Sequence, residues 1–243
     1  MLDIVSEMPA WKAKSKEGAR KDAEKNGEAD RESDVRVITR SVYRFDGAGY
    51  ADDTRPSHLW AIDLPAEGRT AEPKQLTTGA FGEDAPTFAP DGSRIFFITN
   101  RTKDPSHAPP DTDLHSVPRA GGDPRLEASI DGPLGDYALS ADGSRVAFVG
   151  YLNPKTPRSF DQPDLFVADL PGGTARNLTA AFDADVDGAI IGDQRAPRGG
   201  LPTPLVWSRD QRFVIAKAAE RGRANLRKIN AATGTVEDFT TGD

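Results

Sequence analysis

The chain has 243 residues, of which 37% are hydrophobic and 28% charged, a balance typical of a soluble globular protein. It contains no cysteine, which excludes disulfides, zinc–thiolate sites and thiol nucleophiles. The net charge of −7 argues against a nucleic-acid partner, because phosphate binding needs clustered Lys and Arg. No apolar run is long enough to span a membrane, so no membrane partner is predicted either.

The first 34 residues differ from the rest of the chain. They lack the apolar core of a secretory signal, so we expect a cytoplasmic location. Residues 12–34 carry almost no apolar side chain larger than Ala, and such a segment cannot offset its ordering entropy by burial. Alternating charges would also suit a solvated helix. The composition favours a polar linker or long loop over residues 1–34.

From residue 35 to residue 243, short apolar runs alternate with Gly, Pro, Asp and Asn, and the pattern repeats. The segment Asp91–Arg94 (DGSR) recurs 51 residues later as Asp142–Arg145, and a degenerate third copy follows at Ser208–Ala218. Asp-Gly between apolar runs predicts a tight hairpin, because both residues tolerate positive φ. The strand after each turn is apolar at successive positions, which indicates burial on both faces.

Four short antiparallel strands in each repeat of about 50 residues predict an all-β fold of the β-propeller type. An ordinary β-sandwich is the alternative. The repeats amount to three full units plus the outer half of another over Val35–Thr78, which lacks its own Asp-Gly hairpin. We therefore expect a partial β-propeller of about three to four blades, an incomplete ring over residues 35–243. The open blade faces of such an arc favour a homo-oligomer.

Two stretches carry a family resemblance. Asp34–Asp63 (DVRVITRSVYRFDGAGYADDTRPSHLWAID) resembles a signature stretch in the propeller of acylaminoacyl peptidases, which belong to the prolyl oligopeptidase class. Asn177–Gly200 resembles the blade junction that this family places before its next WSPDG hairpin. Here that hairpin reads WSRDQ, which departs from the usual Asp-Gly turn. TolB-type propellers share the hairpin motif, so that motif does not distinguish the two families. The stretch Asp34–Asp63 is what favours the acylaminoacyl peptidases.

The resemblance implies a two-part serine peptidase, in which a propeller caps an α/β-hydrolase domain that follows it in the chain. That family removes N-terminal residues, often N-acylated ones, from short peptides. On this reading the chain is a non-catalytic propeller that gates and positions peptide substrates for a hydrolase domain absent from it. The alternatives are a TolB-like binding module that acts through protein–protein contacts, and a remnant that no longer closes a ring.

The residues that carry hydrolytic chemistry are missing from this sequence. No serine lies in a G-x-S-x-G nucleophile elbow, so we predict no catalytic residue and no activity for the chain alone. His58 and His115 fall at strand positions where packing is expected, and His107 lies in a polar loop. Residues Asp183–Gln194 fit the front of a calcium loop but lack its final Glu and flanking helices. We therefore predict no metal and no cofactor.

The predicted substrate-binding residues surround the Gly-rich segment FDGAGY. They are Arg40, Tyr43, Arg44 and Tyr50. One interpretation is a long blade loop in which arginine pairs with aspartate. The other is a loop that reaches the propeller cavity, where a guanidinium would bind a peptide carboxylate or carbonyl with two hydrogen bonds.

Overall fold

A computed structural model describes most of the repeat region. The described part contains strands and turns and no α-helix, which confirms the all-β prediction. No helix in that part is long and apolar enough to cross a membrane. The described ranges are 2–5 (backbone only), 37–38, 42–46, 49–50, 55–67, 70–105, 107–155, 160–188 and 204–242.

Eighteen strands lie in these ranges. In chain order they are β1 Leu2–Val5, β2 Arg44–Phe45, β3 Gly49–Tyr50, β4 Trp60–Asp63, β5 Lys74–Gln75, β6 Asp84–Phe88, β7 Arg94–Thr99, β8 Asp113–Pro118, β9 Arg125–Ala128, β10 Leu134–Leu139, β11 Arg145–Gly150, β12 Asp164–Asp169, β13 Arg176–Asn177, β14 Asp185–Val186, β15 Val206–Trp207, β16 Phe213–Glu220, β17 Arg223–Asn230 and β18 Val236–Asp238.

Four of the sheets are consecutive blades of a β-propeller. Blade 1 contains β1, β4 and β5, blade 2 contains β6 to β9, blade 3 contains β10 to β13, and blade 4 contains β14 to β18. Strands β2 and β3 form a separate hairpin. Blades 2 and 3 are the four-stranded antiparallel sheets that the repeat predicted. The partial β-propeller is thereby confirmed.

Hydrophobic clusters fill the spaces between consecutive blades, which explains why the strands that follow the hairpins are apolar at successive positions. Leu59, Ala61, Leu76, Ile95, Phe97 and Val117 lie between blades 1 and 2. Phe96, Leu114, Ala128, Leu134, Val146, Phe148, Phe166 and Ala168 lie between blades 2 and 3. Ala147, Val149, Leu165, Val167, Leu178, Val186, Leu205, Val214, Ala216 and Ile229 lie between blades 3 and 4.

In blades 2, 3 and 4, the turn that leads from the inner strand into the next strand has a residue with positive φ. Gly92 and Gly143 both have φ of 70°, which costs glycine little. In blade 4 the residue is Gln211, with φ of 57°. Its side-chain oxygen accepts from the Ala141 N–H at 2.9 Å, and its carbonyl accepts from Arg145 at 2.6 Å. Blade 3 therefore holds the strained turn that replaces Asp-Gly in blade 4.

The innermost strands share an irregularity near their beginning. The pairing of β6 with β7 shifts between Asp84 and Thr87, and that of β10 with β11 shifts between Leu134 and Tyr137. In blade 4 the inner strand is interrupted at the corresponding point, because β14 and β15 both pair with β16. A bulge places one extra residue opposite the partner strand and redirects the side chains beside it.

The first strand, β1, lies within the segment 1–34 that the sequence predicted to be a polar linker or loop. It pairs antiparallel with β4, from Leu2 opposite Asp63 to Val5 opposite Trp60. It occupies the position that the second strand has in blades 2 and 3. In those blades the second strand follows the Asp-Gly hairpin, which blade 1 does not have. The rest of the predicted linker lies outside the described residues.

Candidate functional site

Three aspartates mark the inner strands of blades 2, 3 and 4. Asp84 and Asp136 are exposed beside the bulges of β6 and β10, and Asp187 is half-buried in the turn just after β14. The first strand of a propeller blade lines the central channel. We call these three residues the acidic wall. We expect these side chains to face the channel, because they lie on or next to the strands that line it.

In blade 4, a lysine of the next strand forms an ion pair with the aspartate of the acidic wall. Lys217 Nζ lies 3.4 Å from Asp187 Oδ1, and the Asp187 N–H donates to the Lys217 carbonyl at 2.6 Å. Burial raises the pKa of Asp187, Lys217 opposes this shift, and Asp136 of blade 3 adds to it. The carboxylates of blades 3 and 4 are therefore close enough to interact, and a bound amine would relieve their repulsion.

Aromatic side chains fix the inner strands to each other. The Tyr137 hydroxyl donates to the Ala85 carbonyl at 2.7 Å, and Trp207 Nε1 donates to the Ala138 carbonyl at 2.9 Å. Burial raises the pKa of Tyr137 above its usual range, so the phenol remains a donor. Each bond crosses from one blade to the preceding one, which holds the acidic wall in a fixed geometry.

A buried carboxylate joins blade 1 to blade 2. Glu83 is fully buried, and its Oε2 accepts from the Thr77 hydroxyl at 2.7 Å and lies 3.0 Å from His58 Nδ1. Arg101 Nη2 lies 3.4 Å from the other carboxylate oxygen. The corresponding residue 51 positions later is Leu134, so this network replaces an apolar contact. A buried charge persists only where partners of this kind satisfy it.

A threonine two residues after the outer strand repeats in three of the four blades. Its hydroxyl oxygen accepts from a leucine N–H of the preceding strand at 2.9 Å each time and hydrogen-bonds to a neighbouring carboxylate or amide oxygen. The threonine–leucine pairs are Thr77 with Leu59, Thr179 with Leu165 and Thr240 with Leu226.

Blade 2 lacks this threonine. Ala128 stands at its position, and Leu126 stands where blade 3 has Asn177. In blade 3, Asn177 and the threonine both hydrogen-bond to Asp164. The corresponding Asp113 keeps neither partner, and its buried Oδ1 has no hydrogen bond among the described residues. Burial, with a smaller effect of Asp111, raises the pKa of Asp113 to about 6.

The substrate-binding residues predicted from the sequence lie away from the acidic wall in the chain. The hairpin of β2 and β3 brings three of them together: the rings of Tyr43 and Tyr50 are 6.3 Å apart, and the Arg44 guanidinium lies 5.7 Å from the Tyr50 ring. Tyr43 and Tyr50 are about half exposed. Arg40 lies outside the described residues. A role of this hairpin in substrate binding stays a prediction.

Each of the three histidines contacts a neighbouring side chain, and the calcium-like segment lies only partly within the described residues. His58 contacts Glu83, the His115 ring stacks on Phe97 at 6.1 Å, and His107 lies 3.1 Å from Asp104 in an exposed loop. Of residues 183–194, the part from 189 onward lies outside the described residues. Within the described ranges no group of three or more His, Asp or Glu side chains is placed to hold a metal ion.

Sequence reasoning missed the acidic wall and the buried network. A signal for the network was present, since Glu83 falls at the position of Leu134 one repeat later. The acidic wall has a weaker signal. Aspartate recurs near the start of each inner strand, but only the bulge decides which of these side chains is exposed.

Comparisons with known proteins agree with the fold. No protein-family model matches the chain, and no curated protein matches its sequence. A mutant puromycin hydrolase complexed with PGG superposes with a TM-score of 0.56 at 19% identity, over 76% of this chain and 27% of that one. TolB from Acinetobacter baumannii gives 0.49 at 17% identity, over 76% of this chain and 37% of its own.

A puromycin-hydrolyzing peptidase from Mycobacterium tuberculosis gives a TM-score of 0.48 at 17% identity, over 79% of this chain and 26% of its own. The chain thus spans well under half the length of each of these proteins. At such identities the likeness shows the β-propeller fold.

Proposed function

We propose that this chain is the propeller portion of a serine hydrolase similar to the acylaminoacyl peptidases. It has no catalytic residues of its own, and it gates and positions short peptides for an α/β-hydrolase domain that this chain does not contain. The observation that carries the proposal is the acidic wall, because inner strands that are hydrogen-bonded to each other and carry carboxylates would offer a peptide an anionic surface.

Two further observations support a peptidase role. The stretch Asp34–Asp63 resembles a signature of the acylaminoacyl peptidase propeller. The solved structure that superposes with a TM-score of 0.56, at 19% identity, is a puromycin hydrolase. The missing G-x-S-x-G elbow fits a division of labour in which another domain supplies the nucleophile.

The first test is to read the source DNA on both sides of the segment that encodes Met1–Asp243. We expect the frame to continue into a G-x-S-x-G hydrolase with Asp and His in the α/β-hydrolase order. A stop codon after Asp243 with no hydrolase gene nearby would contradict the peptidase proposal, and would leave a TolB-like binding propeller as the better reading.

The second test asks whether the acidic wall selects substrates. In the hydrolase-containing protein, Asp136→Asn should raise KM for a positively charged short peptide by about tenfold and leave kcat nearly unchanged, because the carboxylate attracts the substrate without taking part in chemistry. Asp123→Asn is the matched control, since it removes the same charge from an exposed turn between β8 and β9. An equal effect of both variants would indicate net charge alone.

A further inference from the structure

Two hydrogen bonds fix the chain just before Asp84, the acidic-wall residue of blade 2. The Glu83 N–H donates to the Ser57 carbonyl at 3.0 Å, and the Gly82 carbonyl accepts from the Thr99 hydroxyl at 2.8 Å. Ser57 precedes β4 of blade 1, and Thr99 is the last residue of β7. The start of the inner strand β6 is therefore tied to an element on either side of it.

The backbone immediately after the acidic-wall residue of blade 2 is strained. Ala85 has φ of 51°, a left-handed conformation that is costly for a residue with a Cβ, and its carbonyl accepts from the Tyr137 hydroxyl at 2.7 Å. Asp187, the acidic-wall residue of blade 4, has φ of 63°. The other two non-glycine residues with positive φ in the described part, Gln211 and Arg221, lie in turns between strands. Such strain persists only where the surroundings hold it, and it concentrates at functional sites.

The side chain next to Asp84 is held as firmly as the backbone. Glu83 is fully buried, whereas Asp84 is exposed. Its carboxylate contacts three residues from three segments, namely His58 just before β4, Thr77 just after β5 and Arg101 after β7. Because these partners approach from different elements, the backbone that carries Asp84 cannot turn without breaking some of the contacts.

Packing between blades does not require a glutamate at position 83. One repeat later the residue is Leu134, which is 2% exposed in the core between blades 2 and 3. Replacing a buried ion network by apolar residues of similar volume is often neutral or stabilising. A second fully buried glutamate, Glu127 on the outer strand β9, also stands where the neighbouring repeats have leucine, at Leu76 and Leu178. The two glutamates are equally buried, but only Glu83 adjoins an acidic-wall residue.

We propose that Glu83 is a positioning residue of the acidic wall. Its buried network fixes the start of β6, so that the Asp84 carboxylate meets a cationic ligand in one geometry. A group that is ordered before the ligand arrives binds it more tightly, because less conformational entropy is lost on binding. His58 and Thr77 belong to blade 1, so the contact between blades 1 and 2 controls ligand binding at the wall. This inference rests on the proposed function, in which the acidic wall binds cationic peptides.

Substitution by the leucine of the neighbouring repeats tests the positioning role. In Glu83→Leu, the protection of the amide at position 83 against hydrogen exchange should fall by at least about tenfold, because the segment that holds it against Ser57 is released. Glu127→Leu is the matched control, since it removes an equally buried charge from the outer strand and should leave that amide protected. Urea unfolding of both variants shows whether stability changes, and a purely structural role would lower stability without this difference in exchange.

Trilysine is the probe for binding to the purified chain. Glu83→Leu should raise its dissociation constant about as much as Asp84→Asn, on the order of fivefold, whereas Glu127→Leu should leave it unchanged. Equal changes in the two leucine variants, or unchanged protection at position 83, would overturn the proposal. If Asp84→Asn and Asp136→Asn both left trilysine binding unchanged, the acidic wall of the proposed function would fail and the positioning role with it. If those two variants weakened binding and Glu83→Leu did not, only the positioning role would fail.

A milder pair of variants covers the case in which Glu83→Leu does not fold. Thr77→Ala removes one partner of Glu83, and alanine fits this position, since Ala128 stands there in blade 2. It should raise the dissociation constant for trilysine by roughly twofold. Thr179→Ala removes the equivalent hydroxyl in blade 3, which bonds to Asp164 on the third strand of that blade, and should leave trilysine binding unchanged. Equal dissociation constants for these two variants would contradict the proposal.

Discussion

Blade 3 packs phenylalanine on phenylalanine where blade 2 packs phenylalanine on histidine. The Phe148 and Phe166 rings lie 5.4 Å apart and 7° from parallel, whereas the Phe97 and His115 rings lie 6.1 Å apart at 27°. Both pairs sit at the same register, 51 residues apart in the chain. The Nδ1 of His115 is buried without a hydrogen bond among the described residues, and burial lowers the pKa of this histidine.

The same contrast extends through the interiors of the two blades. Four of the five buried side-chain atoms that lack a hydrogen-bond partner in the described part lie in blade 2 or its connecting loop, on Arg101, Asp113, His115 and Glu127. Blade 3 has none of them. The shared hairpins and register therefore determine that both repeats form blades, while the interior residues determine their stability. An unpaired buried polar group is costly, so blade 2 should be the less stable one.

The largest expected effect comes from removing the aromatic stack of blade 3. Phe148→Ala should lower the free energy of unfolding by about 3–5 kcal/mol, because the ring is fully buried between blades 2 and 3. Phe97→Ala should cost about 1 kcal/mol less, since it gives up a histidine contact in place of a parallel aromatic pair. Urea unfolding measures both, with the 56% exposed Phe239→Ala as control. Equal losses would contradict the proposed difference between the blades.

A smaller change should give blade 2 the hydrogen bond that it lacks. Ala128→Thr places a hydroxyl where Thr179 hydrogen-bonds to Asp164 in blade 3. Its bond to Asp113 should lower the pKa of this carboxyl from about 6.

The folded pKa of Asp113 lies above its usual value of 3.8, so the native chain holds this proton more tightly than the unfolded chain. Stability should therefore fall as the pH rises from about 4 to about 6, by about 1 kcal/mol after solvent screening is allowed for. Ala128→Thr should flatten this slope in urea unfolding. The variant Thr179→Ala removes one of the two hydrogen-bond partners of Asp164 and keeps Asn177, so it should create a smaller slope of the same sign in blade 3. An unchanged slope in both variants would rule out this origin of the pH dependence.

Local sequence patterns predicted the blades because the signals for them are local. Asp-Gly turns and apolar runs act over a few residues, and their interval of 51 residues identifies the repeat. The loss of partners around Asp113 is visible in the sequence, since Leu126 and Ala128 replace Asn177 and Thr179 one repeat later. Its consequence depends on burial, which the sequence does not give. The ion pair Asp187–Lys217 is harder still to predict from the sequence, because it depends on the path of an interrupted inner strand.

The Asp-Gly hairpins of blades 2 and 3 differ by one hydroxyl group. In blade 3 the Ser140 hydroxyl donates to Asp142 Oδ1 at 2.7 Å, and Ser144 donates to the same oxygen. Blade 2 has Ala89 at the position of Ser140. The hydrogen bond from Ser140 is the largest influence lowering the pKa of Asp142, whereas the hydrogen bonds of Ser93 are the largest influences lowering the pKa of Asp91.

Ala89→Ser should therefore lower the pKa of Asp91 further, toward that of Asp142, and Ser140→Ala should raise the pKa of Asp142. NMR titration of the two carboxyl groups measures both shifts. A carboxylate whose pKa is lowered by folding stabilises the native chain above the unfolded pKa and loses this contribution as the pH falls through the folded value. Both groups are fully exposed, so the effect on stability should be the smallest of the three. If Ser140→Ala left the Asp142 titration unchanged, the backbone N–H and hydroxyl of Ser144 would suffice, and the two hairpins would be equivalent despite their sequences.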